Sequence, residues 1–221
     1  MKQDCLPSAS LWERIFASLY DPLLRPLENR RFSPLRKKLL QGVQGTILDI
    51  GSGTGANLPF LSRPGVRTVF LEISWAMIQK GVAKGMGKAG SVVRGSGTAL
   101  PFADHSFDSC ISTLVLCSVD DPGAAFSEIR RVLRPGGMFL MMEHVLSEDP
   151  PVAAFQKIVT PVWKRVAGGC HLDRKTDAMA SQIFQKQEEW TEVFSGIPVR
   201  LGVYLKPRTK HSPDPRPLSF S

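Results

Sequence analysis

Gly51, Gly53 and Gly55, directly after the run Ile47-Leu48-Asp49-Ile50, have a spacing suited to holding a ligand. Glycine tolerates positive φ and lets a ligand approach the backbone closely. A helix starting just after such a loop adds unpaired N–H groups and the positive end of its dipole. Pro59 suits the first turn of that helix, where a missing N–H costs little. Gly51-Ser52-Gly53-Thr54-Gly55-Ala56 also satisfies the G-x-G-x-x-G/A dinucleotide fingerprint, so the glycines alone do not name the cofactor. Glu72 follows Gly53 by 19 residues, and a carboxylate there can accept both hydroxyls of a ribose. It indicates a nucleoside and not which one.

These residues need elements to position them. Short β-rich runs at 46–50, 67–73, 91–94, 107–114 and 138–145 alternate with helical stretches at about 55–62, 74–86 and 122–133. That alternation predicts a parallel sheet wrapped by helices, since parallel strands need crossover connections. Before it, residues 10–40 read as helices that Pro22 and Pro26 break into pieces. After it, 151–167 has helical spacing and Asp173 is a predicted N-cap for a helix running to about 189. Two strands follow, at 190–195 and 199–206. Pro135-Gly136-Gly137 reads as a tight structural turn into the fifth strand. The expected organisation is a helical segment at 1–45, an α/β domain at 46–206 and a disordered basic, proline-rich tail at 207–221.

With 43% hydrophobic and 22% charged residues, the chain has the balance of an ordinary soluble domain. No apolar run approaches the roughly 20 residues of a membrane span, and the first residues lack an export signal, so a cytoplasmic protein is expected. The four cysteines form no C-x-x-C pair and no histidine stands at zinc-ligand spacing, so no metal is expected. Cys110 and Cys117 flank an apolar strand and read as small buried residues. The net charge of +8 is concentrated partly in residues 25–38, with Arg25, Arg30, Arg31, Arg36, Lys37 and Lys38. That block reads first as a solvated basic face, and alternatively as a peripheral contact with an anionic membrane. Few aromatics interleave with it, which disfavours nucleic acid.

Leu48-Asp49-Ile50-Gly51-Ser52-Gly53-Thr54-Gly55 resembles motif I of class I S-adenosylmethionine-dependent methyltransferases, where dinucleotide folds usually place an apolar residue at the Asp49 position. Gly95-Ser96-Gly97-Thr98-Ala99-Leu100-Pro101-Phe102 resembles the adenine-pocket segment of the methyltransferase 11 family, and 128–139 resembles its helix–turn–strand passage. The resemblance implies a Rossmann-like α/β fold, with a mostly parallel seven-stranded sheet and helices on both faces. It implies S-adenosylmethionine as cofactor, held by Asp49, Gly51, Gly53, Gly55, Asn57, Glu72, Ile73, Ser96, Gly97, Thr98, Thr113 and Leu114. The chain departs from the family at Ser96 and Thr98, where an Asp and a Glu are usual. The adenine amine would thereby lose a carboxylate acceptor, which predicts weaker cofactor binding.

The stretches 113–119 and 142–145, with Trp163 and 169–174, resemble a subgroup containing animal alkyl-thiol S-methyltransferases. Members of that subgroup begin with a membrane anchor that this sequence lacks, so a soluble relative is expected. The implied reaction is methyl transfer to a small apolar acceptor, a thiol among the choices. A phospholipid or quinone acceptor at a membrane surface, or a non-catalytic cofactor sensor, are the alternatives. Leu114, Cys117, Glu143 and His144 are expected at carboxyl ends of strands facing the pocket. His144 is the candidate general base, with Glu143 beside it, and the competing reading is that both orient loops through hydrogen bonds. His171 and Asp173 form a second pair, read first as a helix-start arrangement. The resemblance implies that residues 1–45, with Trp12, Phe16, Tyr20 and Asp21, form a lid over the acceptor pocket, and the competing reading is plain packing against the sheet.

Overall fold

The computed structural model describes residues 11–194 and 196–208, apart from the side chains of residues 11–13, 16 and 24. The lid side chains Trp12 and Phe16, and all but the first two residues of the expected tail, lie outside the described residues.

Parallel strands β1 (Gly45–Ile50), β2 (Val66–Glu72), β3 (Gly90–Arg94), β4 (Phe107–Thr113) and β5 (Leu133–His144) form one sheet with β6 (Gln185–Phe194) and β7 (Ile197–Leu205). The order is β3-β2-β1-β4-β5-β7-β6, and β7 runs antiparallel to both its neighbours. Strand alternation sends Leu48, Ile50, Phe139 and Met141 to one face, and Ile47, Leu140 and Met142 to the other. Both faces are buried, as a parallel sheet requires. The strand order reverses beside β1, whose neighbours are β2 and β4. The crevice at the carboxyl ends of these strands is where such sheets bind ligands.

The helices are α1 (Leu11–Leu27), α2 (Ser33–Leu40), α3 (Leu58–Leu61), α4 (Trp75–Ala83), α5 (Met86–Ala89), α6 (Pro122–Val132), α7 (Pro150–Val166) and α8 (Thr176–Ile183). The expected break at Pro22 and Pro26 does not occur, because both sit inside α1. Proline's fixed φ is helical, so each costs a hydrogen bond without forcing the chain out of the helix. The chain leaves α geometry only at Glu28–Phe32, a π-helical turn.

The helix expected from Asp173 to about residue 189 is shorter at both ends. It begins at Thr176, and the strand β6 takes over at Gln185. Gln185-Lys186-Gln187-Glu188-Glu189 favours helix locally, but pairing with β7 overrides that preference. Its charged, exposed side chains suit an edge strand. The tight turn expected at 135–137 is instead an irregularity within β5. Pairing with β4 jumps from Phe107↔Leu133 to Ser109↔Met138, and Gly136 absorbs the kink with φ 75°.

Candidate functional site

Asp49, next to last in β1, is fully buried at 0% exposure. Its Oδ1 accepts from Asn57 Nδ2 at 2.7 Å, while its Oδ2 has no hydrogen-bond partner. Burial pushes this carboxyl up to about 7, against the opposing pull of Asn57 and Arg36. Asn57 Nδ2 also donates to Thr113 Oγ1 at 3.0 Å, and Asn57 Oδ1 accepts from Arg36 at 2.8 Å. Arg36 further donates to Thr113 Oγ1 and pairs with Glu28 at 2.8 Å. Asp49, Asn57, Thr113, Arg36 and Glu28 thus form one continuous polar network at the strand ends. Arg36, read from the sequence as part of a solvated basic face, is 3% exposed and points inward. Two of its basic neighbours lie over aromatic rings of β6, Arg31 on Phe194 and Lys38 on Trp190. A periodicity test would have found Arg36, since it shares a helix face with the buried Leu39 and Leu40.

The glycine loop runs beside this network. A side chain at Gly51 would strike Val115 at 2.5 Å, so packing alone demands glycine there. A Cβ at Gly53 would meet only Gly51 O, at 3.9 Å, and its surroundings are otherwise open. Gly53 N–H donates to Glu72 Oε2 at 3.0 Å, and Ser74 N–H to Glu72 Oε1 at 2.8 Å. Burial raises the Glu72 carboxyl despite these donors. Next to it Ile73 is 60% exposed and Trp75 48%, an apolar wall beside a carboxylate. Ser96 Oγ lies 2.7 Å from Thr98 Oγ1 and accepts the Thr98 N–H at 3.2 Å, while Gly97 sits against Ile50. The Ser96 hydroxyl therefore shapes its own turn. Leu114 adopts φ 61°, a strained value for a side chain of its size, with its N–H on Met142 O.

Above the loop, Asp21 of α1 accepts from Thr54 Oγ1 at 2.6 Å and pairs with Lys84 at 2.7 Å. Burial works to raise the Asp21 carboxyl, but Lys84 and Thr54 hold it below its ordinary value. Neighbouring Tyr20 has its phenol raised by burial against the pull of Arg36, and Glu28 and Cys117 add to the rise. It stands between the polar network and a group of sulfur side chains.

That group is the second half of the site. Glu143 is buried at 0% exposure, and both its oxygens are engaged. Oε1 accepts from Ser112 Oγ at 2.7 Å and from the Val115 and Leu116 N–H groups at 3.0 Å each. Oε2 accepts from Cys117 N–H at 3.2 Å. Of the two readings of Glu143, this geometry is that of a carboxylate holding a loop. His144, half-buried beside it, places Nδ1 3.5 Å from Cys170 Sγ, which is 3.5 Å from Cys117 Sγ. Cys170 and Cys117 share a hydrogen bond that, with help from His144, holds the Cys170 thiol below the usual range while Cys117 is raised. The sequence, with these three residues at 117, 144 and 170, gave no spacing signal for their meeting. The His171 and Asp173 side chains pair loosely with each other at 3.7 Å.

Sheet order, glycine loop and buried acidic residue together define a class I S-adenosylmethionine-dependent methyltransferase. A family model described as a methyltransferase domain matches residues 48–141. The chain is 31% identical over 209 residues to thiol S-methyltransferase TMT1B of Rattus norvegicus, covering 85% of each chain. It is 33% identical over 183 residues to the Homo sapiens TMT1B, covering 75% of this chain and 74% of that one. The chain belongs to this methyltransferase family. Among solved structures, a chain of the Haloferax volcanii complex between the Trm112 methyltransferase activator and a methyltransferase superposes with TM-score 0.70 at 20% identity. That match covers 91% of this chain and 100% of the other. An S-adenosylmethionine-dependent methyltransferase of Methanosarcina mazei gives 0.63 at 20% identity, over 80% and 98%. At these identities the structural likeness speaks for the fold.

Proposed function

We propose that the enzyme methylates a small, apolar thiol, using S-adenosylmethionine held at the carboxyl ends of β1, β2 and β4. The observation that carries the cofactor assignment is the unpartnered, buried Asp49 Oδ2 beside an open cradle at Gly53. A buried acceptor without a donor is costly unless a ligand supplies one. Asp49, the loop Gly51, Gly53 and Gly55, Asn57 and Thr113 surround the amino-acid end, with Arg36 as the cation for its carboxylate. Glu72 takes the ribose hydroxyls. Ile73 and Leu114 flank the base, and the 96–98 turn closes its edge. When bound, the cofactor supplies an electrophilic methyl on a sulfonium, which an in-line nucleophile at roughly 3 Å displaces. The chain's own task is to orient the acceptor, exclude water and deprotonate it, since the thiolate is the nucleophile. His144 is the group placed to act on that proton.

The thiol choice is supported by the names of the two TMT1B relatives and by the sulfur cluster after the carboxyl ends of β4 and β5. The described part of the N-terminal segment, residues 11–45, serves as the lid, held down through Asp21. Peripheral contact with an anionic membrane through residues 25–38 fits the row Ile15, Leu19, Leu23 and Leu27, all exposed on α1 beside that basic stretch. No described helix is long and apolar enough to cross a membrane.

Binding of S-adenosylmethionine compared with NAD by calorimetry, then S-adenosylhomocysteine release with a panel of thiol, amine, phenol and quinone acceptors, tests the reading. Tight binding of the first cofactor and turnover confined to thiols is expected. Binding of NAD alone, or turnover with the other acceptors only, overturns it.

A further inference from the structure

Cys117, His144 and Cys170 come from three separate segments, the loop after β4, the end of β5 and the loop after α7, yet they meet at one point. Their Sγ, Nδ1 and Sγ atoms all lie within 4.8 Å of one another. A tetrahedral zinc ion with Zn–S of about 2.3 Å and Zn–N of about 2.0 Å sets S···S and S···N edges of about 3.8 and 3.5 Å. The observed separations from Cys170 are 3.5 Å to Cys117 and 3.5 Å to His144. Two thiols and an imidazole are the donor set that a borderline-soft divalent ion prefers.

The backbone around these side chains is fixed in a way that ordinary packing does not demand. Glu143 Oε2 holds the Cys117 N–H, and the Cys117 carbonyl accepts from the His171 N–H at 2.8 Å, tying the β4 loop to the Cys170 loop. Buried Gln156 donates to Val145 O at 2.9 Å and Leu172 O at 2.8 Å, tying the end of β5 to that same loop. Arg174 donates to Leu116 O and Val119 O from the other side. Outer ties of this kind are what orient metal ligands. The candidate ligands themselves number three, and catalytic zinc sites characteristically keep one position open.

We propose that Cys117, His144 and Cys170 bind a zinc-class divalent cation whose open position takes the sulfur of the acceptor thiol. This rests on the thiol reading above and adds the ion that activates the acceptor. On coordination the acceptor loses its proton to solvent, because a coordinated thiol is deprotonated outright. Its lone pair then forms the new S–C bond while the sulfonium S–C bond breaks and its electron pair returns to the cofactor's sulfur. The products are a thioether and S-adenosylhomocysteine. In this arrangement His144 acts as a ligand and the cation does the work of a base.

The test uses the full chain, reduced and stripped by a chelator without oxygen, then titrated with Co²⁺. Expected are one Co²⁺ per chain, a thiolate-to-cobalt charge-transfer band, tetrahedral visible bands and displacement by Zn²⁺. Cys117→Ser and Cys170→Ser each weaken Co²⁺ binding on the order of a hundredfold, and S-adenosylmethionine calorimetry on both variants confirms that they fold. Ethanethiol added to the Co²⁺ form strengthens the charge-transfer band by one more thiolate. The site is overturned by an absent band, by an unchanged band in the double variant, or by a Cys117–Cys170 disulfide in the purified protein that leaves no metal bound. A band that ethanethiol does not alter overturns the open-position assignment. Ethanethiol methylation that survives complete metal removal overturns the inference while leaving the thiol reading intact. Metal binding without any thiol methylation refutes the thiol reading and, with it, the role given to the ion.

Discussion

Asp49 and Glu143 are both fully buried carboxylates at the ends of sheet strands, and they differ in how their oxygens are used. Glu143 meets three backbone N–H groups and a serine hydroxyl. Asp49 meets one amide and leaves Oδ2 with no partner. A saturated buried carboxylate is a structural brace, whereas one with an idle oxygen is waiting for a ligand's donor. The two halves of the site follow the same division. The β1–β2 side has an open cradle and an unfinished network, and the β4–β5 side is knotted tight around its sulfur atoms.

The largest effect that tests this contrast is Glu143→Ala. It strands three backbone donors, so unfolding free energy should fall by about 3–5 kcal/mol, measured by urea denaturation. Unchanged stability with lost turnover would move Glu143 to the catalytic side. Arg36→Ala comes next. It removes the cation shared by Asn57, Thr113 and Glu28, and cofactor affinity should drop by about 10- to 100-fold, or roughly 1.4–3 kcal/mol. Calorimetry showing unaltered affinity would return Arg36 to a purely packing role.

Asp49→Asn sharpens the contrast through pH. The folded pKa of Asp49 is raised from 3.8 to about 7 by burial. Its contribution to stability is therefore full below the unfolded value and is lost as pH rises through about 7. The wild type should lose melting temperature relative to Asp49→Asn across that window, even as the variant binds cofactor less tightly. A constant difference across the window would mean that Asp49 stays ionised. The smallest effect is expected from Ser96→Asp. It keeps the turn, since Asp can accept the Thr98 N–H as Ser96 does, and adds an acceptor, so binding should tighten a few-fold, about 1 kcal/mol. A titration with no tightening would displace Ser96 from the adenine edge.

How far the sequence reaches differs by element. The five parallel strands were legible to within a few residues at most boundaries, because apolar runs between turn residues are a local signal. The fifth began earlier than expected, since its first residues are a bulge that reads like a turn. The 185–189 stretch was misread because helix propensity is local and strand pairing is not. Along the glycine loop, Gly51, Gly53 and Glu72 could be named as candidates from order and spacing, and Asp49 from the family resemblance. Arg36 could not, because a run of basic residues conceals which one faces inward.

By itself the sequence determined the parallel sheet, the cofactor loop and the class of enzyme. The sheet and the loop depend on residues a short distance apart, whose geometry the backbone's own periods dictate, whereas the enzyme class came from the resemblance of the 48–55, 95–102 and 128–139 segments to a known family. Tertiary structure alone decided that Arg36 completes the Asp49 network, that Glu143 bonds the backbone of residues 115–117, and that Cys117, His144 and Cys170 share one point. Those residues are up to 77 positions apart in the chain, and only the order in which strands and loops are laid side by side brings such atoms within bonding distance.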